Sequence, residues 1–284
     1  MKTAARLLAL LLFVPLLCHA QSKLYTQLYV FGDSYSDSGA GYIDGNGPTA
    51  VVYLAQRLDI PFTYFGDPKT QTEHPIHEGL NFAVSGARTG EGKGSYGPHR
   101  ELLGRGMSTQ VDDFAALVKS GDVHFDAEQT MFFLLGGLND RTLPAGQTRT
   151  NEEALIDTLY GLGARRFMVA LLPVKIPQFA TAGERANAEL TSVPQDMKAK
   201  YPDIQIALSN WGSFYDQAIT HPSQYGFTNT TDKCAGRALR NEDTTECATP
   251  QTYFFYHDGH PSTAAHKVVG DMLYDEAVSN KSSQ

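Results

Sequence analysis

The stretch QLYVFGDSYSDSG, residues 27–39, decides how the rest of the chain is read. Leu28 to Phe31 form an unbroken apolar run, and Gly32 and Asp33 end it in a turn. A strand with one wet face alternates apolar and polar residues. A continuous run belongs to a strand covered on both faces, as in a parallel sheet between helices. Small polar residues follow at once, with Ser34 on the turn.

The same pattern recurs on either side. QTMFFLLGGLND (129–140), RRFMVALLPV (165–174) and IQIALSNW (204–211) are apolar runs that end in polar turns, and PFTYFG (61–66) and GLNFAVSGA (79–87) are shorter strand candidates. Segments of helical periodicity lie between them. These are TAVVYLAQRL (49–58) with Thr49 as a cap, STQVDDFAALVKSG (108–121) with Ser108 or Thr109 near its start and Gly121 past its end, and NEEALIDTLYGLGA (151–164). ERANAELTSVPQDMKAKY (184–201) reads as helical, and STAAHKVVGDMLYDEAV (262–278) closes the chain as a helix with Ser262 or Thr263 as its cap. Strands alternating with helices predict an α/β fold, a three-layer α/β/α sandwich around a mostly parallel sheet. Phe214 to Pro250 has no clear periodicity and holds two cysteines, which predicts a stapled surface excursion.

The chain has 284 residues and a formal charge of −8, with no lysine/arginine run, so a nucleic-acid partner is not expected. Residues 1–20 have the layout of a secretory signal peptide: Lys2 and Arg6, then LLALLLFVPLL, then CHA, with cleavage expected after Ala20. The apolar run is too short for a membrane anchor, which needs about 20 residues. Leu17 before Cys18 speaks against a lipoprotein signal. Residues 21–284 then form one domain, secreted or periplasmic, without a transmembrane segment and expected to be a monomer. Cys234 and Cys247 remain, and an even count in an exported chain predicts a disulfide. The alternative is two buried thiols.

In parallel sheets, ligands gather beyond the carboxyl ends of the strands. Three small-polar clusters fall there: Ser34 in FGDSYSDSG, Ser85 and Gly86 in NFAVSGA, and Asn139 in GGLND. A fourth element, His260 in YFFYHDGHPS (253–262), precedes the last helix. With these four blocks in this order, the chain resembles the GDSL esterase/lipase family, the SGNH hydrolases. The resemblance runs over essentially the whole mature chain and extends to HPSQYGFTN and HPSTAAH. It implies a flavodoxin-like fold with a five-stranded sheet, no metal or organic cofactor, and an ester substrate that is a small molecule, a lipid or an acylated sugar. It also implies roles: Ser34 as nucleophile, His260 as base, and an oxyanion hole from the Ser34 and Gly86 amides and the Asn139 side chain. Physical chemistry agrees with each. A serine hydroxyl needs a base to become a nucleophile, imidazole titrates near neutrality, and a developing oxyanion needs fixed N–H donors.

One position departs from the family. Many relatives carry an aspartate three residues before the histidine, and here that position is His257, while Asp258 is only two before. Either the Asp258 side chain reaches the ring, helped by Gly259, or the His257 backbone carbonyl holds it. The eroded position leaves a second reading open, a secreted binding module of the same fold without catalysis. GARTGEGKGS (86–95) has the glycines of a phosphate-binding loop, but Lys93 stands one residue too far along and Gly94 takes the place of the magnesium-holding Ser or Thr. It reads instead as a mobile loop beside the oxyanion hole. His257, Asp258, His260 and His266 do not read as a metal set, because Pro261 and a helix start intervene. His266 is expected on a helix face, and His74, His77 and His221 on the surface. No long apolar lid is evident, so short acyl groups are expected.

Overall fold

Strand β1 (Gln27–Gly32) is buried at every position, which is why its sequence carries no alternation. It pairs in parallel on both sides. Leu28, Tyr29 and Val30 lie opposite Gly79, Leu80 and Asn81 of β3 (Gly79–Asn81), and Gln27–Gly32 lie opposite Thr130–Leu135 of β6 (Thr130–Leu135). The structure, a computed structural model, describes residues 24–39, 45–66 and 78–282. The expected signal peptide at 1–20, with Cys18, lies outside these residues, as do His74 and His77.

Beyond β3 lies β2 (Thr63–Tyr64), and beyond β6 lie β7 (Arg166–Ala170) and β8 (Gln205–Ser209). The sheet order is β2-β3-β1-β6-β7-β8, with every pairing parallel. Among the described residues the sheet thus has six strands, one at each of the six strand candidates, where the family resemblance implied five. Helices α1 (Ala50–Arg57), α6 (Trp211–Thr220) and α7 (Thr263–Ser282) pack together, while α2 (Met107–Ser120), α3 (Gln147–Gly161), α4 (Ala180–Leu190) and α5 (Val193–Lys200) form a second group. The expected helix over 184–201 is two helices, broken at Thr191 and Ser192. Gly121 closes α2 in the left-handed conformation as expected, but Gly106 opens that helix, and Thr49 makes no side-chain cap. Its hydroxyl donates to the Ser36 carbonyl instead. Ser262 does cap α7, accepting from the Ala265 amide at 3.3 Å.

Aromatic rings fill the core between β1 and α2. Phe31 stacks on Phe82 at 5.1 Å, and Phe114 meets Tyr29 at 4.7 Å and Phe132 at 5.6 Å. Such pairs each add about 0.5–1.5 kcal/mol beyond the area they bury.

Two small sheets were not expected. Residues 93–105 form a hairpin of β4 (Lys93–Tyr96) and β5 (Leu102–Arg105), rather than the mobile loop predicted there. The strand β4 is exposed throughout, so its sequence holds no apolar alternation to find. The Phe214–Pro250 region contains most of α6 and the strand β9 (Asn229–Lys233). That strand pairs in parallel with β10 (Tyr253–His257), which turns back into β11 (His260–Pro261). Cys234 and Cys247 are joined by a disulfide with Cα atoms 4.8 Å apart.

Candidate active site

The chain runs from β1 to β2 and β3 on one side of the sheet, then crosses to β6 on the other. Crevices form where the order reverses in this way. Ser34 follows β1, Gly86 follows β3 and Asn139 follows β6, so the three line one cleft of about 530 Å³. His260 enters the same cleft from the small sheet.

The turn that carries Ser34 is held from inside. The Asp33 carbonyl accepts from the Ser36 and Asp37 amides at 3.0 Å, and its carboxylate accepts from the Tyr35 amide. Gln110 reaches up from α2 and completes Gly32 in both directions. Its Oε1 accepts from the Gly32 amide and its Nε2 donates to the Gly32 carbonyl, each at 2.9 Å. The same Nε2 donates to the Arg105 carbonyl at the base of the hairpin. Asp37 accepts from the Gly39 and Ser85 amides at 2.7 Å, which ties the first block to the second. Burial pushes both Asp33 and Asp37 up to about 7, and the negative charges of Asp140 and Asp37 add to the rise at Asp33.

Gly86 sits at φ +79°, a conformation that a side chain would strain. Asp140 anchors the third block. It accepts from the Thr89 amide and hydroxyl and from the Thr148 hydroxyl. Asn139 then donates one N–H to the Ala87 carbonyl at 2.9 Å. Among the described residues, neither the Ser34 nor the Gly86 amide donates to a protein acceptor. Two bare amides and an asparagine at the rim of one cleft match the donor set an oxyanion requires.

His260 Nε2 lies 2.9 Å from Ser34 Oγ, and its Nδ1 lies 3.2 Å from the Asp258 carbonyl. The group at Nδ1 is therefore the Asp258 backbone carbonyl, and neither of the two expected alternatives, the Asp258 side chain or the His257 carbonyl, takes that place. The Asp258 side chain takes another direction and pairs with Lys233 at 3.2 Å. The cause is the turn. His257 and His260 face each other across β10 and β11, leaving Asp258 and Gly259 as its two central residues. Gly259 takes φ +72°, so it completes a tight turn rather than letting Asp258 swing inward.

The rest of the turn is clamped. Tyr35 donates to the Gly259 carbonyl at 2.5 Å and packs its ring 5.6 Å from that of His260. Phe179 stands edge-on to His260 at 5.9 Å. His257 shares a hydrogen bond between its Nδ1 and the Ala235 carbonyl, next to the disulfide. His266 is buried in α7 with its Nδ1 2.7 Å from the Tyr215 hydroxyl, so it lies on a helix but not at the cleft. His221 is exposed at the end of α6. Burial, aided by the positive charge of Arg237, lowers His260 to about 3, and burial lowers His257 to about 4. A neutral imidazole with Nδ1–H held by a carbonyl presents its Nε2 lone pair to Ser34.

A model of the GDSL-like lipase/acylhydrolase family matches residues 28–273. The chain belongs to that family. Its chemistry is hydrolysis of acyl esters. Two GDSL esterase/lipases of Arabidopsis thaliana are 24% and 28% identical to it. The alignments cover 82% and 87% of this chain and 73% and 86% of those proteins. Among solved structures, an alpha/beta hydrolase enzyme from the metagenome of Lake Arreo, Spain, is similar over 90% of this chain and 98% of its own, with a TM-score of 0.51 and 12% identity. A psychrotrophic esterase from Pseudoalteromonas gives a TM-score of 0.48 at 15% identity, over 91% of this chain and 100% of its own. The structural likeness concerns the fold alone. Among the described residues, no helix is long and apolar enough to cross a membrane.

Several residues at this GDSL site carry no signal in the sequence taken alone. Tyr35 and Asp37 stand inside the quoted block, yet only the fold gives them partners. Gln110 is one glutamine on an amphipathic helix. Its inward position beside Val111 and Phe114 was the available cue, since a fully buried glutamine must find partners.

Proposed function

We propose that this GDSL protein is an exported serine ester hydrolase that works through an acyl-enzyme on Ser34. The observation that carries this reading is the 2.9 Å contact between His260 Nε2 and Ser34 Oγ, in a cleft that also presents bare backbone amides. His260 takes the Ser34 proton as Oγ attacks the ester carbonyl. The Ser34 and Gly86 amides and the second N–H of Asn139 hold the oxyanion. The alcohol leaves with the proton from Nε2, and His260 then activates water to release the acid. The Asp258 carbonyl fixes the tautomer, although a carbonyl stabilises the imidazolium less than a carboxylate does.

The protein acts as one domain and as a monomer in this reading, and short acyl groups are preferred. Purified protein should hydrolyse chromogenic acetyl or butyryl esters faster than long-chain ones. A fluorophosphonate probe should label the wild type and fail on Ser34→Ala. Labelling that survives the substitution would move the nucleophile elsewhere. A folded wild type that neither labels nor hydrolyses any ester would favour the binding-module reading.

A further inference from the structure

The chain is acidic overall, with 31 aspartates and glutamates against 23 lysines and arginines, yet its cleft is not. Arg141, Arg237 and Arg240 line it beside Ser34 and His260. Among the described residues, the single carboxylate at the cleft wall, Asp258, is turned to Lys233. Glu242, the acid nearest in sequence to Arg240, pairs with the same Lys233. Among the described residues, no carboxylate pairs with Arg141 or Arg240, and Arg240 is exposed to solvent. Three guanidinium groups around one concave site make a local positive field within a negative molecule.

Their placement is uneven. Arg141 follows the Asn139 turn, on the oxyanion side. Arg237 and Arg240 stand on the stapled segment whose start is sewn to β10, the strand paired with that of His260. The Cys234 and Ala235 amides donate to the Tyr256 carbonyl, and the Ala235 carbonyl meets His257 Nδ1. The positive charge of both arginines reaches the His260 imidazole, where it adds to the lowering caused by burial. In ester cleavage by a serine–histidine pair, the imidazole returns its proton to the departing alkoxide, so the alcohol portion lies on the histidine side.

We propose that the ester cleaved in this cleft carries an anionic group, phosphate or carboxylate, on its alcohol portion, held by Arg240 and Arg237 with Arg141 across the mouth. The proposal rests on the hydrolase reading above and deepens it by naming a substrate class. Guanidinium suits both anions, because its planar fork matches their oxygens and is less strongly hydrated than an ammonium. The bond chemistry is unchanged. Water adds across the acyl–oxygen bond, and the anionic alcohol departs with its proton.

Matched ester pairs test this. 4-Acetoxybenzoate is compared with 4-acetoxybenzamide, and 1-butyrylglycerol 3-phosphate with 1-butyrylglycerol. 4-Nitrophenyl hemisuccinate against 4-nitrophenyl butyrate places the charge on the acyl side. At low salt, kcat/KM should favour the anionic alcohol about tenfold or more in at least one of the first two pairs, and which pair responds separates carboxylate from phosphate. The preference should shrink in about 0.5 M salt, where charges are screened within a few ångströms. Arg240→Gln should cut the anionic-to-neutral ratio several-fold, and Arg240→Lys should restore part of it. Turnover of neutral esters with equal rates in both alcohol-side pairs overturns this proposal alone, as does a preference confined to the acyl-side pair. No turnover of any ester, neutral members included, overturns the hydrolase reading and this proposal with it.

Discussion

The two halves of the candidate site are built by different means. Ser34, Gly86 and Asn139 sit at the ends of β1, β3 and β6, three adjacent strands that are buried at every position. Their geometry is inherited from the core of the whole domain. His260 sits on a two-residue strand beside a two-residue turn, at the margin of a small sheet whose outer strand β9 is largely exposed. Its geometry comes from local clamps: the Tyr35 hydroxyl, the edge of Phe179, and a segment stapled by Cys234 and Cys247. The Ser34 half is tied to the core of the fold. The His260 half can be loosened while the fold persists.

The largest expected effect comes from removing the proposed base. His260→Ala should lower kcat by on the order of 10⁴ or more with the thermal transition little changed. A loss below about a hundredfold would show that another group takes the Ser34 proton. Next is the staple. Replacing both Cys234 and Cys247 by Ser should cost about 3 kcal/mol, the chain-entropy value for a loop of this size. The comparison sharpens if activity decays at lower denaturant than the core unfolds, and it breaks if the two losses coincide.

Burial holds the His260 imidazole down at about 3 against its ordinary 6.5. The neutral base is therefore present from mildly acid pH upward, and protons compete with catalysis only far below neutrality. Wild type should keep most of its kcat/KM at pH 5, where an unshifted histidine would have lost about thirtyfold. An acid limb near 6.5 would contradict the burial that the local clamps impose. The same depression acts on stability. The unfolded chain binds a proton at this residue below 6.5 and the native state does not until about 3, so this contribution rises as pH rises through that window.

Tyr35→Phe removes the donor to the Gly259 carbonyl and leaves the ring packing. It should cost about 1–2 kcal/mol in stability and lower kcat about tenfold, with KM nearly constant. An unchanged kcat would mean that the turn holds itself. The smallest effect is expected at Asp258. Asp258→Asn leaves the backbone carbonyl at 3.2 Å from Nδ1 in place, so kcat should fall by less than about tenfold. A loss of about a thousandfold with folding intact would show that the side chain orients the ring.

The difference between the halves also explains what could be read in advance. β1, β6 and β7 were visible because burial on both faces writes a continuous apolar run. The three small-polar blocks were visible because turns at strand ends favour glycine, serine and asparagine, and the His260 block through the family resemblance. The strands β4 and β9 were not, since exposed strands such as KGSY and NTTDK carry no apolar pattern. The direction of Asp258 was not legible either. It depends on which two residues occupy the turn, and that is set by the pairing of β10 with β11. Arg141 stands about a hundred positions before Arg237 and Arg240 in the sequence, and only the fold makes them neighbours.

Gln110 carries a last consequence. Its amide does what a neighbouring strand would do for Gly32, giving and taking one hydrogen bond, while also holding the Arg105 carbonyl. A group that donates and accepts from one planar end is needed there, and among side chains of that length only glutamine supplies it. Glutamate has the same shape but, ionised, offers no donor, so it would face two carbonyl oxygens with a negative charge. The interchange of these two residues is among the mildest at a surface. At this position a single atom's identity separates a working turn from a repelled one, and the chain's tolerance for change is narrowest where its sequence looks most ordinary.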